Sequence, residues 1–268
     1  MEAKLQYGIL GGKVDTLTAL PLSFNIAFAV ALIPAISTAM TKRDINTAKK
    51  RISYSILLTI LIGLPCTIGM IVFAEPILKL LFPNAASGVT VLQISSLTIL
   101  FTMLEQTLNG ALQGMGKLIV PIMGLGCGVI IKLILNIILI PIPEIGINGA
   151  AIASVVCHTI SFCISFIVLN KYIKISLSLK KCIIKPIIAT IIMVIFSWNI
   201  YIDLCNTSIT CMLEINPQRV ATIISIIMAL IIYIICIILL KVLSKEELYM
   251  LPYGEKLYKI LYKFRIYK

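Results

Sequence analysis

Residues 118–140 read LIVPIMGLGCGVIIKLILNIILI, an apolar run interrupted by a single charge, Lys132. Crossing about 30 Å of hydrocarbon takes about 20 helical residues, so the run has the length of a membrane-spanning helix. An ammonium within such a span costs at least about 2.5–3.5 kcal/mol, and a lysine placed there ordinarily lines a cavity rather than lipid. Asn136 follows one helical turn later, and Pro141 and Pro143 close the run. The combination points to a transport path through a membrane.

Composition agrees. The chain has 268 residues, of which 60% are hydrophobic and 13% charged, and its mean hydropathy is +1.07. Soluble domains average about 25% charged residues, so the expected fold class is all-α, a polytopic transmembrane helix bundle. Seven spans are predicted, over residues 16–40, 52–73, 88–113, 118–140, 148–169, 183–202 and 219–241. The sixth is the weakest, with Lys185 and Pro186 at its start and Asn199 near its end.

The net charge of +12 does not imply nucleic acid, because the basic residues occupy short connections between apolar runs. Five lie in 41–51, five in 170–185 and seven from Lys241 onward, and Lys117 brings that side to eighteen. The opposite side holds Lys4, Lys13, Lys79 and Arg219. Positive charge concentrates in cytoplasmic loops, so a cytoplasmic C-terminus and an outside N-terminus are expected in the cell membrane. Residues 1–15 lack the pattern of a signal peptide and read as a loop leading into a helix. The simplest expectation is the C-terminal part of a longer protein whose earlier helices are missing. A seven-helix receptor is the rival account.

Two short segments are expected to lie along the membrane rather than cross it. Glu75–Pro83 predicts an interfacial helix with Pro76 in its first turn. The tail around 257–264 places apolar residues at i, i+3, i+4 and i+7, with Lys256, Lys259 and Lys263 opposite, a pattern that suits the anionic inner leaflet. Cys66, Cys127, Cys157, Cys163 and Cys236 fall within spans and act as small apolar residues. No CxxC pair is present, so neither a zinc nor a redox site is expected, and no cofactor is implied. Cys205 and Cys211 share one polar loop and could bridge on an oxidising side.

The candidate binding residues are the polar side chains inside spans. At 1.5 Å per residue, Lys132 lies roughly 12 Å, Asn25 roughly 14 Å and His158 roughly 15 Å from the outer surface, so three helices bring polar groups to one layer. Glu105 is the one carboxylate well inside a predicted span, with a strained or water-mediated ion pair to Lys132 in reach. Gln106, Asn109 and Gln113 continue from it as a polar stripe, which usually marks a wet groove. For Asn25, Asn136 and His158 the alternative is a local helix–helix hydrogen bond. Pro21, Pro34, Pro65 and Pro121, with Gly124, Gly126 and Gly128, suit helices that bend or pack closely.

The order of these residues resembles a known family. ALIPAIS (31–37), GLPCTIGMIVFAEPILKLLFP (63–83), LNGALQGMGKLIVPI (108–122) and KLILNIILIPIPEIGINGAAIAS (132–154) are similar to segments of the stage V sporulation protein B family. That family belongs to the multidrug/oligosaccharidyl-lipid/polysaccharide exporters. The resemblance implies two six-helix lobes around a central cavity, with two extra C-terminal helices. This chain would supply helices eight to fourteen: part of the C-terminal lobe in 1–169, the two extra helices in 170–242, and a basic tail in 243–268. The implied function is flipping of a lipid-linked saccharide, such as a peptidoglycan or polysaccharide precursor, with membrane lipids and the missing N-terminal helices as partners. Lys132, Asn136, Asn25, Glu105, Gln106, Asn109 and His158 are then the candidate substrate contacts.

A cation-coupled drug exporter of the same superfamily is the alternative, disfavoured by a lysine beside the lone carboxylate. A membrane glycosyl- or polyprenyl-transferase would need clustered acids, and no DxD or DDxxD motif is present. A retinal protein with Lys132 as Schiff base lacks a carboxylate one turn away as counter-ion.

Overall fold

The computed structural model describes residues 6–83, 86–175, 178, 180–206, 217–249 and 258. Helix is the regular structure among those residues, and seven helical segments are long and apolar enough to cross a membrane. The chain forms two compact units, Met1–Ser176 and Leu177–Lys268.

In the first unit, α1 (Asp15–Thr41) is entered through a π-helical stretch, Gly8–Val14, which makes one continuous span from Gly8. The span predicted from residue 16 therefore starts earlier. The polar residues near its start do not end it, because a helix satisfies its backbone internally and the ends of membrane helices project into water. After α1, α2 (Ile45–Val72) begins at Asp44, whose carboxylate accepts the Thr47 amide at 3.0 Å and the Thr47 hydroxyl at 2.6 Å. Those bonds hold the exposed Asp44 carboxyl below the usual carboxylate range. Helices α1 and α2 run unbroken through Pro21, Pro34 and Pro65.

The interfacial segment expected at 75–83 is α3 (Ala74–Leu81). It buries Ala74 and Leu78 with Ile9, Val14, Leu17, Val91 and Leu92, and keeps the Glu75–Lys79 ion pair at the surface. Next come α4 (Val89–Gly114), α5 (Ile119–Leu139) and α6 (Ile147–Ile173). Helix α4 is the centre of the unit, packed against α1, α2 and α6, while α5 packs chiefly on α6.

Small residues set these spacings. A β-carbon on Gly110 of α4 would lie 2.5 Å from the Ala29 carbonyl oxygen, and one on Gly128 of α5 would lie 2.6 Å from that of Cys157. Backbones this close are what glycine permits between membrane helices. Gly124 also faces α6, whereas Gly126 faces open space. The other side of α5, including Ile119, Ile122, Ile130, Leu133 and Ile137, is exposed and apolar, as a lipid-solvated surface must be.

In the second unit, α7 (Lys185–Asn206) follows a π-helical turn at Lys180–Ile184 and packs on α8 (Pro217–Leu239) around Ala189, Met193, Tyr233 and Cys236. The sixth span thus begins before its predicted start. A short α9 (Lys245–Tyr249) follows, and its Glu247 pairs with Lys181. Apart from Tyr258, the predicted tail helix lies outside the described residues, as does Cys211 of the candidate disulfide.

Candidate functional site

The polar residues singled out in the spans fall into three places, all in the first unit. The first is a knot joining α1, α2 and α4. Asn25 is 1% exposed. Its amide nitrogen donates to the Met103 carbonyl at 2.8 Å, to Gln106 Oε1 at 3.0 Å and to Thr107 Oγ1 at 3.4 Å. Its carbonyl oxygen accepts from the Thr59 hydroxyl at 3.2 Å, and the Thr59 and Thr107 hydroxyls lie 2.7 Å apart. Asn25 is thus engaged with protein, the local-bond alternative left open by its sequence position, and Gln106 is one of its partners.

The second place is the contact of α4 with α6. Glu105 is 5% exposed, and both of its oxygens are occupied. Oε1 accepts the Ser161 hydroxyl at 2.6 Å, and Oε2 lies 2.7 Å from His158 Nδ1. One turn along, Ser165 donates to Asn109 Oδ1 at 2.9 Å. The two helices therefore meet as a ladder, Glu105 and Asn109 on one rail and Ser161 and Ser165 on the other. Leaving so polar a group buried without partners would be costly, and these two short hydrogen bonds satisfy it.

These contacts alter two expectations. Glu105 pairs with His158 rather than with Lys132, because α4 packs on α6 and has little contact with α5. The stripe below Glu105 does not face one groove. A helix turns 100° per residue, which sends Gln106 toward α1 and Asn109 toward α6, while Gln113 is exposed.

The third place holds Lys132 and Asn136 on α5. Lys132 is half-buried and makes no hydrogen bond or ion pair with another described residue. Its charge is felt by Cys157 on α6 and by Asp15 at the start of α1. Asn136, one turn further, has a buried Oδ1 without a hydrogen-bond partner among the described residues. A cation and an acceptor atom unsatisfied among the described residues thus lie one helical turn apart on α5. Among the described residues, no group of three or more His, Cys, Asp or Glu is placed to hold a metal ion.

Sequence reasoning missed Thr59, Thr107, Ser161 and Ser165, since isolated hydroxyls in apolar helices are common and usually bond their own helix. One signal was available: Ser161 and Ser165 repeat the four-residue spacing of Glu105 and Asn109.

Comparison with known proteins places the chain in a family. The family model described as lipid II flippase MurJ matches residues 14–213. The chain is 29% identical to the uncharacterized membrane protein YabM of Bacillus subtilis, over 97% of this chain and 48% of that protein. It is 25% identical to stage V sporulation protein B of the same organism, over 68% of this chain and 35% of the relative. With the Bacillus subtilis lipid II flippase MurJ the identity is 27%, over 61% and 30% of the two lengths. The chain spans about half or less of the length of these curated relatives. A multi-pass helical membrane protein matched over residues 14–213, it belongs to the lipid II flippase MurJ family.

Proposed function

We propose that this chain forms the greater part of one lobe of a flippase that moves a lipid-linked saccharide across the cell membrane. Family membership supports that reading, and the single observation that carries it is Lys132, a half-buried ammonium on an apolar helix with no hydrogen-bonded protein partner among the described residues. The cargo is an undecaprenyl-type lipid bearing a diphosphate-linked sugar head, a peptidoglycan or polysaccharide precursor. Two of the relatives bear sporulation and lipid II flippase names, which makes a spore-envelope precursor the first substrate to test.

Flipping is slow without a protein because the polar head must shed water in hydrocarbon. Lys132 offers the head a charge and Asn136 an acceptor, replacing part of that water. Glu105, Asn109, Gln106 and Asn25 hold the helices that present them. Residues 1–169 belong to the lobe, 170–242 supply two added helices, and 243–268 a basic tail on anionic lipid. The remaining helices of the family complete the cavity. The excess of basic residues on one side supports a cytoplasmic C-terminus and an outside N-terminus.

The drug-exporter alternative needs a carboxylate open to cationic cargo, and Glu105 is occupied by Ser161 and His158. In the full-length protein, Lys132→Ala should abolish rescue of a flippase-deficient strain at unchanged membrane abundance. Normal growth of that strain overturns the assignment.

A further inference from the structure

The helices of this chain stop in two ways. In the first unit α1, α4 and α6 run in the same direction: Asn25 meets Met103 and Ile36 lies beside Gly114, while Glu105 meets Ser161 and Asn109 meets Ser165. Each of the three stops in a left-handed residue, Arg43 after α1 (φ 55°), Gly116 after α4 (φ 75°) and Lys174 after α6 (φ 45°). In the second unit Lys241 stops α8 in the same way (φ 48°). Helices α2 and α5 run the opposite way, and their last residues pass into Phe73 and Ile140 at φ −92° and −64°. Among the described residues, Arg43, Lys174 and Lys241 are the non-glycine residues with positive φ, and all three are basic and exposed.

A left-handed residue crowds its β-carbon against the carbonyl that follows, so glycine usually occupies such a cap. The caps themselves need no side chain. After α1, the Asp44 amide donates to the Ala39 carbonyl at 2.9 Å and the Arg43 amide to the Met40 carbonyl at 3.0 Å. After α8, the Val242 amide donates to Ile237 at 3.2 Å and the Lys241 amide to Ile238 at 3.1 Å, while Lys185 Nζ takes the Lys241 carbonyl at 3.1 Å. Gly116 completes the same pair of bonds after α4 without any side chain, from Lys117 to Leu112 and from Gly116 to Gln113, both at 2.9 Å. After α6, the Lys174 amide donates to the Asn170 carbonyl and the Ile175 amide to Asn170 Oδ1, again at 2.9 Å. Three positions thus hold a strained residue where glycine would serve. None of their side chains makes a hydrogen bond or ion pair with another described residue.

We propose that Arg43, Lys174 and Lys241 are anchors for the headgroup phosphates of anionic phospholipids, each fixed at the end of a membrane-spanning helix. A side chain within a helix leans toward the N-terminus, which for these helices is toward hydrocarbon, and a residue placed beyond the last turn escapes that constraint. The level is marked by Lys117, next after Gly116, whose Nζ stands 4.7 Å from the centre of the Tyr172 ring. Tyrosine at a helix end belongs to the headgroup layer. Basic residues at that layer attract anionic lipid, and strain retained where glycine would relieve it points to a use for the side chain. A cation beyond a helix C-terminus also favours the helix dipole, which is the competing use. Lipid held in this way is independent of what the protein carries.

The test uses full-length protein in neutral detergent, with melting followed as phosphatidylglycerol, phosphatidylcholine or inorganic phosphate is added. In detergent alone, the triple variant Arg43→Gly/Lys174→Gly/Lys241→Gly should melt at or above the wild-type temperature, because glycine suits each cap. Phosphatidylglycerol should raise the wild-type melting temperature. The triple variant should need about 100-fold more of it for the same rise, about fivefold for each side chain. Lys42→Gln/Lys171→Gln/Lys180→Gln removes three other exposed charges from the same basic stretches and should cost less. Phosphatidylcholine and inorganic phosphate at matched concentration should raise neither protein. A glycine variant that melts below the wild type in detergent alone overturns the proposal, since the charges would then serve the helix dipoles. So does an undiminished response of that variant to phosphatidylglycerol, an equal loss in the glutamine variant, or the same rise with inorganic phosphate.

Discussion

Gly110 of α4 and Ala29 of α1 approach so closely that a β-carbon at the glycine would stand 2.5 Å from the alanine carbonyl oxygen. The obstacle is backbone, which cannot swing aside as a flexible side chain would. Gly110→Ala should therefore destabilise the unit by about 1–3 kcal/mol, the usual cost of overpacking. Gly69→Ala in α2, where the added carbon meets nothing within 4 Å, should be neutral or stabilising by up to about 1 kcal/mol. Thermal melting of the detergent-solubilised protein, read by a thiol-reactive dye, separates the two.

On α5 the same contrast lies within three positions. Gly128 faces the Cys157 carbonyl at 2.6 Å and Gly126 faces open space. Gly128→Ala should push α5 off α6 and cost about 1–3 kcal/mol. Gly126→Ala should leave the melting temperature unchanged or raise it. Disulfide crosslinking between introduced cysteines on α5 and α6 should weaken for the first variant only.

Asn25 joins three helices, so Asn25→Ala should cost about 1–3 kcal/mol by stranding buried partners. Thr59→Val should cost about 0.6 kcal/mol, the average for one hydrogen bond between membrane helices, since Thr107 keeps its bond to the Met103 carbonyl. Equal losses from the two variants would show that Asn25 does not organise the knot. Unfolding in graded denaturing detergent gives both values.

Glu247 predicts an acid response in the second unit. Burial alone would raise its carboxyl, but hydrogen bonds from Lys181 and the Ser244 amide outweigh burial and hold it below its ordinary value. A depressed carboxylate contributes stability above its unfolded value, about pH 4.3, and loses it as pH falls through the folded value. Hydrogen exchange in the π-helical turn before α7 should therefore quicken on acidification below about pH 4.3. Glu247→Gln should exchange faster already at neutral pH and show no further acid step.

The spans were legible because each needs a long apolar run, and the seven predicted runs correspond to the seven long helices. Boundaries were less so. Residues 8–15 are not apolar enough to mark a span, yet Ile9, Val14 and Leu17 pack against α3 and α4 and carry the helix back to Gly8. The polar residues were findable but their partners were not. Counting along a helix gives depth, whereas the direction a side chain faces depends on which neighbours pack where. For this reason Glu105, for which depth leaves a strained ion pair with Lys132 in reach, in fact meets His158. Asn25 and Gln106 are candidate ligand contacts in the sequence, and in the structure they bond each other, which a position in one helix cannot reveal.

The span that holds Glu105 is the least apolar of the seven, and its carboxylate finds its partners only 53 and 56 residues later in the chain. At about 5–20 residues per second, the ribosome takes roughly 3–11 s to deliver them. During that interval the Glu105 carboxyl is without the two side-chain partners it has in the folded unit. Satisfaction of the Glu105 carboxyl thus awaits α6, so the polar contacts of α4 are completed well after α4 itself is made.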